Sequence, residues 1–188
     1  MNATLVAETS RRGGSGGRTS VRRALPWIGV AARLALAVVW AWAGWEKATN
    51  PAQAAQAVRA FDVLPESLVE PIGYALPYLE LGLAALLVIG LGTRIVAGIS
   101  ALLLVVFIAG IAQAWARGLA IDCGCFGGGG PIAPDQTKYL QEILRDLAFM
   151  VPAVWLLFLP RTHLSADAWL AIDDLPEDDG ADDEPDDD

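Results

Sequence analysis

The sequence holds only two cysteines, Cys123 and Cys125, and one histidine, His163. With His163 distant and expected on the opposite side of the membrane from the cysteines, the three or four ligands of a zinc site are not brought together, and no CxxCH haem attachment is present, so no metal centre is expected. There is also no CxxC motif and no second cysteine pair, which excludes a complete electron relay within this one chain. Charge is scarce as well: 19% of residues are Asp, Glu, Lys or Arg, against 54% that are hydrophobic. The apolar residues gather into long runs, the pattern of a membrane protein, and nothing points to a nucleic-acid partner.

The charges that are present are unevenly spread. Residues 164–188 contain no Lys or Arg and 12 Asp or Glu, whereas residues 1–163 hold all 13 basic residues and 10 acidic ones. Mutual repulsion and a lack of aromatics leave DDLPEDDGADDEPDDD unable to support a core, so residues 163–188 are expected to form a disordered acidic tail. Residues 1–24, with RRGGSGGRTSVRR, show no apolar periodicity and are expected to form a disordered basic tail.

Between the tails, residues 25–162 are expected to form one membrane domain. A hydrocarbon core of about 30 Å needs roughly 20 helical residues. Four runs qualify, at about 26–45, 71–91, 95–116 and 140–159, and none alternates like a strand. The fold class expected is therefore an all-α membrane protein, a four-transmembrane-helix bundle in contact with the lipid bilayer. Trp27, Trp45 and Trp115 fall near the ends of these runs, where amphipathic rings favour the headgroup level.

Five arginines, Arg11, Arg12, Arg18, Arg22 and Arg23, precede the first run, and the positive-inside rule holds such a segment in the cytoplasm. Arg94 in the short second connection and Arg161 after the fourth run agree with that orientation. Both termini are then cytoplasmic, the loops at 46–70 and 117–139 face outward, and the location expected is the plasma or inner membrane. A rival reading makes the first run a cleaved signal peptide, with Ala41-Trp42-Ala43 as the cleavage site. Its apolar stretch is longer than an h-region of about 7 to 15 residues, and it contains Arg33.

The outward loop carries the chemistry. In Asp122-Cys123-Gly124-Cys125-Phe126-Gly127 the two cysteines stand in an oxidising compartment, where a disulfide can form and persist. One intervening residue allows only a very small ring, departing from relaxed geometry and so open to reduction and exchange. Such a bridge closes almost no loop, so it contributes little through unfolded-state entropy. Cys123 and Cys125 are accordingly the catalytic candidates, with redox exchange as the leading reading. Two unpaired thiols and a structural turn lock are the alternatives.

Four ionisable residues interrupt the apolar runs: Arg33, Glu80, Arg145 and Asp146. A charge at mid-membrane costs roughly 2.5 to 3.5 kcal/mol on insertion scales and usually faces a partner. Counted inward at 1.5 Å per residue, Glu80 lies about 13 Å deep and Arg145 about 7 Å, a gap that an arginine can bridge. A Glu80–Arg145 pair is therefore expected, with an Arg145–Glu142 pair at i, i+3 as the alternative. Arg33 is close enough to the cytoplasmic edge to snorkel towards the headgroups. In the first outward loop, Ala54, Ala57, Val58 and Phe61 follow helical spacing, so a short helix on the membrane surface is expected there; its position would let it cap the cysteine loop, with plain core packing as the default reading.

Several of these pieces occur in a particular order. Gly44-Trp45-Glu46-Lys47 with Asn50-Pro51 is followed by Val63-Leu64-Pro65, Pro71 and Leu76-Pro77-Tyr78-Leu79-Glu80-Leu81-Gly82, then by DCGCFG and by Arg145-Asp146. The series resembles the MauE family of the DoxX-like four-helix membrane proteins, over nearly all of residues 26–160, and leaves both tails outside the pattern. The resemblance implies a redox-associated membrane protein that supports maturation of a disulfide-rich exported enzyme of methylamine utilisation.

The mechanism expected is thiol–disulfide exchange by Cys123 and Cys125, passing electrons between a membrane carrier and a thioredoxin-like extracytoplasmic partner, the thiolate being the attacking species. The sequence specifies no cofactor. If the carrier is a quinone, the cleft near Glu80 and Arg145 is its candidate site. A non-enzymatic assembly or chaperone subunit that docks a client is the second hypothesis. A proton-coupled transporter using Glu80 is the third, and it lacks the internal repeat expected of that class. Neither client nor oligomeric state can be read from composition.

Overall fold

The computed structural model describes residues 16–159 and Ala166, with side chains described from Trp27 on. The chain forms α1 (Gly16–Thr49), α2 (Pro51–Ala60), α3 (Glu66–Ile89), α4 (Thr93–Ala116), the two-residue strands β1 (Ile121–Asp122) and β2 (Gly130–Pro131), a 3₁₀ turn (Pro134–Gln136) and α5 (Tyr139–Phe158). The acidic tail expected beyond residue 162 lies outside the described residues, as do residues 1–15 of the basic tail. Residues 16–24, expected to be unstructured, instead extend α1. Propagating an existing helix avoids the cost of nucleating one, so a polar segment attached to a long apolar helix can follow it.

Among the described residues, three helices are long and apolar enough to cross a membrane: Trp27–Thr49, Glu66–Ile89 and Thr93–Ala116. The chain is a membrane protein in contact with the bilayer. The fourth expected run is α5, 20 residues long, with Glu142, Arg145 and Asp146 in its first turns. Those charges turn away from a continuous exposed apolar face formed by Leu140, Leu144, Leu147, Val151, Val154 and Phe158. Trp45 and Trp115 are likewise exposed near helix ends, and Trp27 is exposed where the apolar part of α1 begins.

Local chemistry sets the helix ends. Asn50 caps α2 by accepting from the Gln53 backbone N–H at 3.4 Å, and Pro51 follows at the first helical position. At the end of α3, Gly90 takes φ 76° and donates to the Leu86 carbonyl. Gly92, at φ 60°, then opens α4, so two glycines reverse the chain within a few residues.

The most extensive packing is between α1 and α3 and between α4 and α5, with α1 and α5 joining the two pairs. Leu36, Trp40, Leu87, Leu104 and Leu156 meet in the central core. The Trp40 indole N–H there donates to Ser100 Oγ at 3.0 Å, satisfying a donor that would otherwise be stranded. Small residues bring α1, α2 and α3 close. A Cβ on Gly44 would stand 2.8 Å from Leu81 Cγ, and one on Gly73 would stand 2.5 Å from Ala55 Cα. Arg33 is buried within the helices at 3% exposure and does not extend to the headgroups as expected.

Candidate functional site

The site lies at the end of the bundle where α1 and α4 finish, called here the loop end. β1 and β2 pair antiparallel, Ile121 with Pro131 and Asp122 with Gly130, and pinch the cysteine segment into a closed loop. Asp122 Oδ1 accepts from the Gly124 N–H at 2.8 Å. Gly124 and Gly129 take φ 71° and 103°, and a Cβ on either would come within 2.8 or 2.6 Å of the Ala57 methyl. The loop is therefore pressed against α2, and the short helix expected from spacing caps the cysteines. Its Ala54, Ala55 and Ala57 are buried against neighbouring chain, so it is part of the packed structure and not a helix lying only on the membrane surface. Gly124→Ala or Gly129→Ala is expected to cost about 1 to 3 kcal/mol, read as a lower thermal midpoint. Ala57→Gly added to either variant recovers the part due to the clash and leaves the part due to positive φ.

Cys123 and Cys125 are both free thiols, each 8% exposed, packed with Ile111, Ala114, Ile121 and Tyr139. Tyr139 fixes the loop's base, its hydroxyl accepting from the Ile121 N–H at 3.1 Å and donating to the Leu119 carbonyl. The two thiols are neighbours in unlike surroundings. The Cys125 thiol, assisted by the Arg145 guanidinium, holds Cys123 below the ordinary thiol range, against burial and the nearby Glu142 charge. The facing Cys123 sulfur and burial push Cys125 well above that range. Of the two, Cys123 is the more favoured as thiolate.

Arg145 is held in place to do this. Its Nη2 lies 3.7 Å from Cys123 Sγ, its Nε and Nη2 each donate to Asp146 Oδ1 at 3.1 Å, and its guanidinium sits 4.7 Å from the centre of the Phe126 ring. Phe126 in turn meets Phe149 edge-on, with ring centres 5.9 Å apart. The charge is thus sandwiched between a buried carboxylate and an aromatic face. Arg145→Gln is expected to raise the pH midpoint for alkylation of Cys123, slowing the reaction at neutral pH by up to about 10-fold, one pKa unit. Cys125→Ala removes the larger influence and should raise the midpoint further; both are read by mass spectrometry across a pH series.

The expected Glu80–Arg145 pair is not formed. Glu80, fully buried, pairs with Lys47, whose Nζ donates to Oε1 at 2.8 Å and Oε2 at 2.9 Å. Lys47 Nζ also reaches the carbonyls of Cys125 at 3.2 Å and Ala43 at 3.4 Å. The error came from the start of α3. With the helix beginning at Glu66, Glu80 stands 14 residues, or about 21 Å, along it. That distance carries it past α2 to the end of α1, where Lys47 is. Lys47 was missed as a site residue; the signal available was its place within the GWEK segment at the end of the first run. In place of the Arg145–Glu142 alternative, Arg145 pairs with Asp146 at 3.1 Å.

Two cavities meet at the thiols. One, of about 340 Å³, is polar and lined by Asp122, Lys138, Gln141, Glu142 and Arg145 together with both cysteines. The other, of about 250 Å³, is lined by apolar residues of α2, α3 and α4, by Lys47 and by both cysteines. Neither Glu80 nor Arg145 lines the apolar one. Asp122, Cys123 and Glu142 bring possible ligand atoms within 4.8 Å of one another. The Arg145 cation beside Cys123 Sγ already supplies positive charge at that cluster.

Fold and site together define a class: a multi-pass helical membrane protein with an arginine-flanked pair of unlike thiols at one end of its bundle. Residues 25–159 match the family described as Methylamine utilisation protein MauE, and the chain belongs to that family. It is 44% identical over 73 residues to "Methylamine utilization protein MauE" of Methylorubrum extorquens, a stretch covering 38% of this chain and 39% of that relative. No solved structure matches.

Proposed function

We propose that the chain exchanges thiols and disulfides at the extracytoplasmic face of the membrane, supporting disulfide formation in an exported protein of methylamine utilisation. The observation that carries this reading is the pairing of unlike thiols, one favoured as thiolate beside Arg145 and the other kept protonated. A structural disulfide needs no such asymmetry; an exchange centre needs one sulfur to attack and another to resolve.

From the dithiol, the Cys123 thiolate attacks a sulfur of the partner's disulfide. The partner's S–S bond breaks, its departing sulfur takes a proton, and a mixed disulfide joins Cys123 to the partner. Cys125 then loses its proton and attacks Cys123 Sγ, releasing the partner's second thiolate. Run in reverse, the same steps oxidise a partner dithiol and leave Cys123 and Cys125 reduced. The polar cavity is the entrance for a thioredoxin-like partner.

In this reading α5 is the fourth span: its 20 residues extend about 30 Å and its exposed apolar face turns to lipid. With the arginine-rich N-terminus cytoplasmic, four spans return the C-terminus to the cytoplasm and put the CGC loop outside. Labelling intact cells with a membrane-impermeant maleimide, before and after mild reductant, tests topology and chemistry together. Modification of Cys123 only after reduction is the expected result. Thiols labelled at once, and unaffected by oxidant, would favour the assembly-subunit reading, and labelling only after lysis would overturn the topology.

A further inference from the structure

The apolar cavity has no role in exchange with a water-soluble partner, yet it ends on both sulfurs. Its walls come from α2 (Ala57, Val58), α3 (Ile72, Leu76) and α4 (Val106, Gly110). Leu103, also on its wall, lies thirteen residues inside the end of α4, so the cavity reaches about 20 Å down a membrane-crossing helix. Val63, Ile72 and Val106 are also among the exposed large hydrophobic residues, so the wall of the cavity is continuous with the lipid-facing surface. A ligand reaching the thiols this way comes from the bilayer, whereas one reaching them through the polar cavity comes from water.

We infer that this cavity admits the head of a membrane-soluble quinone, which reoxidises the Cys123–Cys125 dithiol. The inference rests on the exchange reading and names the electron acceptor that it needs. The chemistry constrains the class. Closing the disulfide releases two electrons and two protons, and a carrier dissolved in lipid must take up both pairs. A quinone does so at its two carbonyl oxygens: the S–S bond forms, the quinone becomes a hydroquinone, and atoms and charge balance with no further reactant.

The size agrees. At about 30 Å³ per water, 250 Å³ holds the equivalent of roughly eight waters, enough for a flat substituted ring but not for a long tail. The tail stays in the lipid beyond Val63, Ile72 and Val106. Apart from the sulfurs, Lys47 is the one ionisable side chain among the described lining residues, and its ammonium is bound to the Glu80 carboxylate and the Cys125 carbonyl. The head therefore meets a neutralised polar end and two sulfurs in an otherwise apolar chamber, which matches a polar ring on an apolar chain.

The test uses the full chain, reduced and reconstituted without oxygen in phospholipid nanodiscs, with a decyl-tailed benzoquinone as the probe. Thiol loss is counted by maleimide mass tagging and quinol formation by ultraviolet absorbance. One quinol should form per dithiol consumed. A Cβ on Gly110 would make only ordinary contact, at 3.5 Å from Phe61, so Gly110→Leu can fold and fill the chamber. Val106→Trp blocks the same cavity from its lipid side. Each should slow quinone reduction about 100-fold, as expected for a displaced reactant, while oxidation by a water-soluble aromatic disulfide is unchanged. That second reaction also reports that the variants are folded. Wild-type thiols that stay reduced with quinone but are oxidised by the soluble disulfide would overturn the inference and leave the exchange reading standing. Variants that both react with quinone like wild type would overturn the cavity assignment. Thiols inert to both oxidants would overturn the exchange reading itself.

Discussion

Cys125→Ser is expected to accumulate a mixed disulfide between Cys123 and the partner, while Cys123→Ser forms none and exchanges at the uncatalysed rate. The two cysteines are equally exposed and only one residue apart, so access does not separate them. Their surroundings do. Cys123 has Arg145 at 3.7 Å and the Cys125 thiol beside it, whereas Cys125 is buried against the Cys123 sulfur. The attacking species in exchange is the thiolate, so the first step belongs to Cys123 and resolution to Cys125. Non-reducing electrophoresis of protein recovered from cells after acid quenching reads the outcome directly. Equal trapping by both single variants would mean that the asymmetry between the thiols has no kinetic consequence, and trapping by Cys123→Ser alone would reverse the roles.

That asymmetry was only partly legible from sequence. The CGC spacing singled out the two cysteines as the candidate site, and hydrophobic run length located α4 and α5 to within two residues and α3 to within five, because both signals are local. The helical spacing of Ala54, Ala57, Val58 and Phe61 also identified α2, whereas the approach of its Ala57 to Gly124 and Gly129 is a tertiary contact that spacing does not specify. Partner choice is not local. Arg145 was paired with Glu80 by counting depth from Pro71, taken as a boundary because proline disfavours helix interiors. In the structure Pro71 and Pro77 both lie inside α3, which starts at Glu66 and runs beside α2 before it reaches Glu80. The five-residue difference shifts Glu80 by more than one helical turn and exchanges Arg145 for Lys47 as its partner. Arg33 failed in a similar way: snorkelling is open only to a residue facing lipid, and the face it occupies is set by tertiary packing.

The second large effect is expected at the Lys47–Glu80 pair, where stability and chemistry can be separated. Lys47→Met leaves the Glu80 carboxylate fully buried without its cation, and Glu80→Met strands the ammonium in the same place. Each single change should cost about 3 to 5 kcal/mol, seen as a marked fall in thermal midpoint in detergent or nanodiscs. The double variant Lys47→Met/Glu80→Met carries no uncompensated charge, and its apolar side chains can pack between α1 and α3, so its stability should return close to wild type. Exchange activity should not return with it. Lys47 is also the donor to the Cys125 carbonyl at 3.2 Å, and methionine gives the loop no replacement. Freed from that anchor, the sulfurs lose their fixed relation to Arg145, so the stable double variant should show a raised pH midpoint for Cys123 alkylation. A double variant as stable and as reactive as wild type would reduce the pair to helix packing alone. A double variant as unstable as the singles would show that the ion pair is irreplaceable to the fold, and that its link to the thiols must be read through the Cys125 carbonyl by other means.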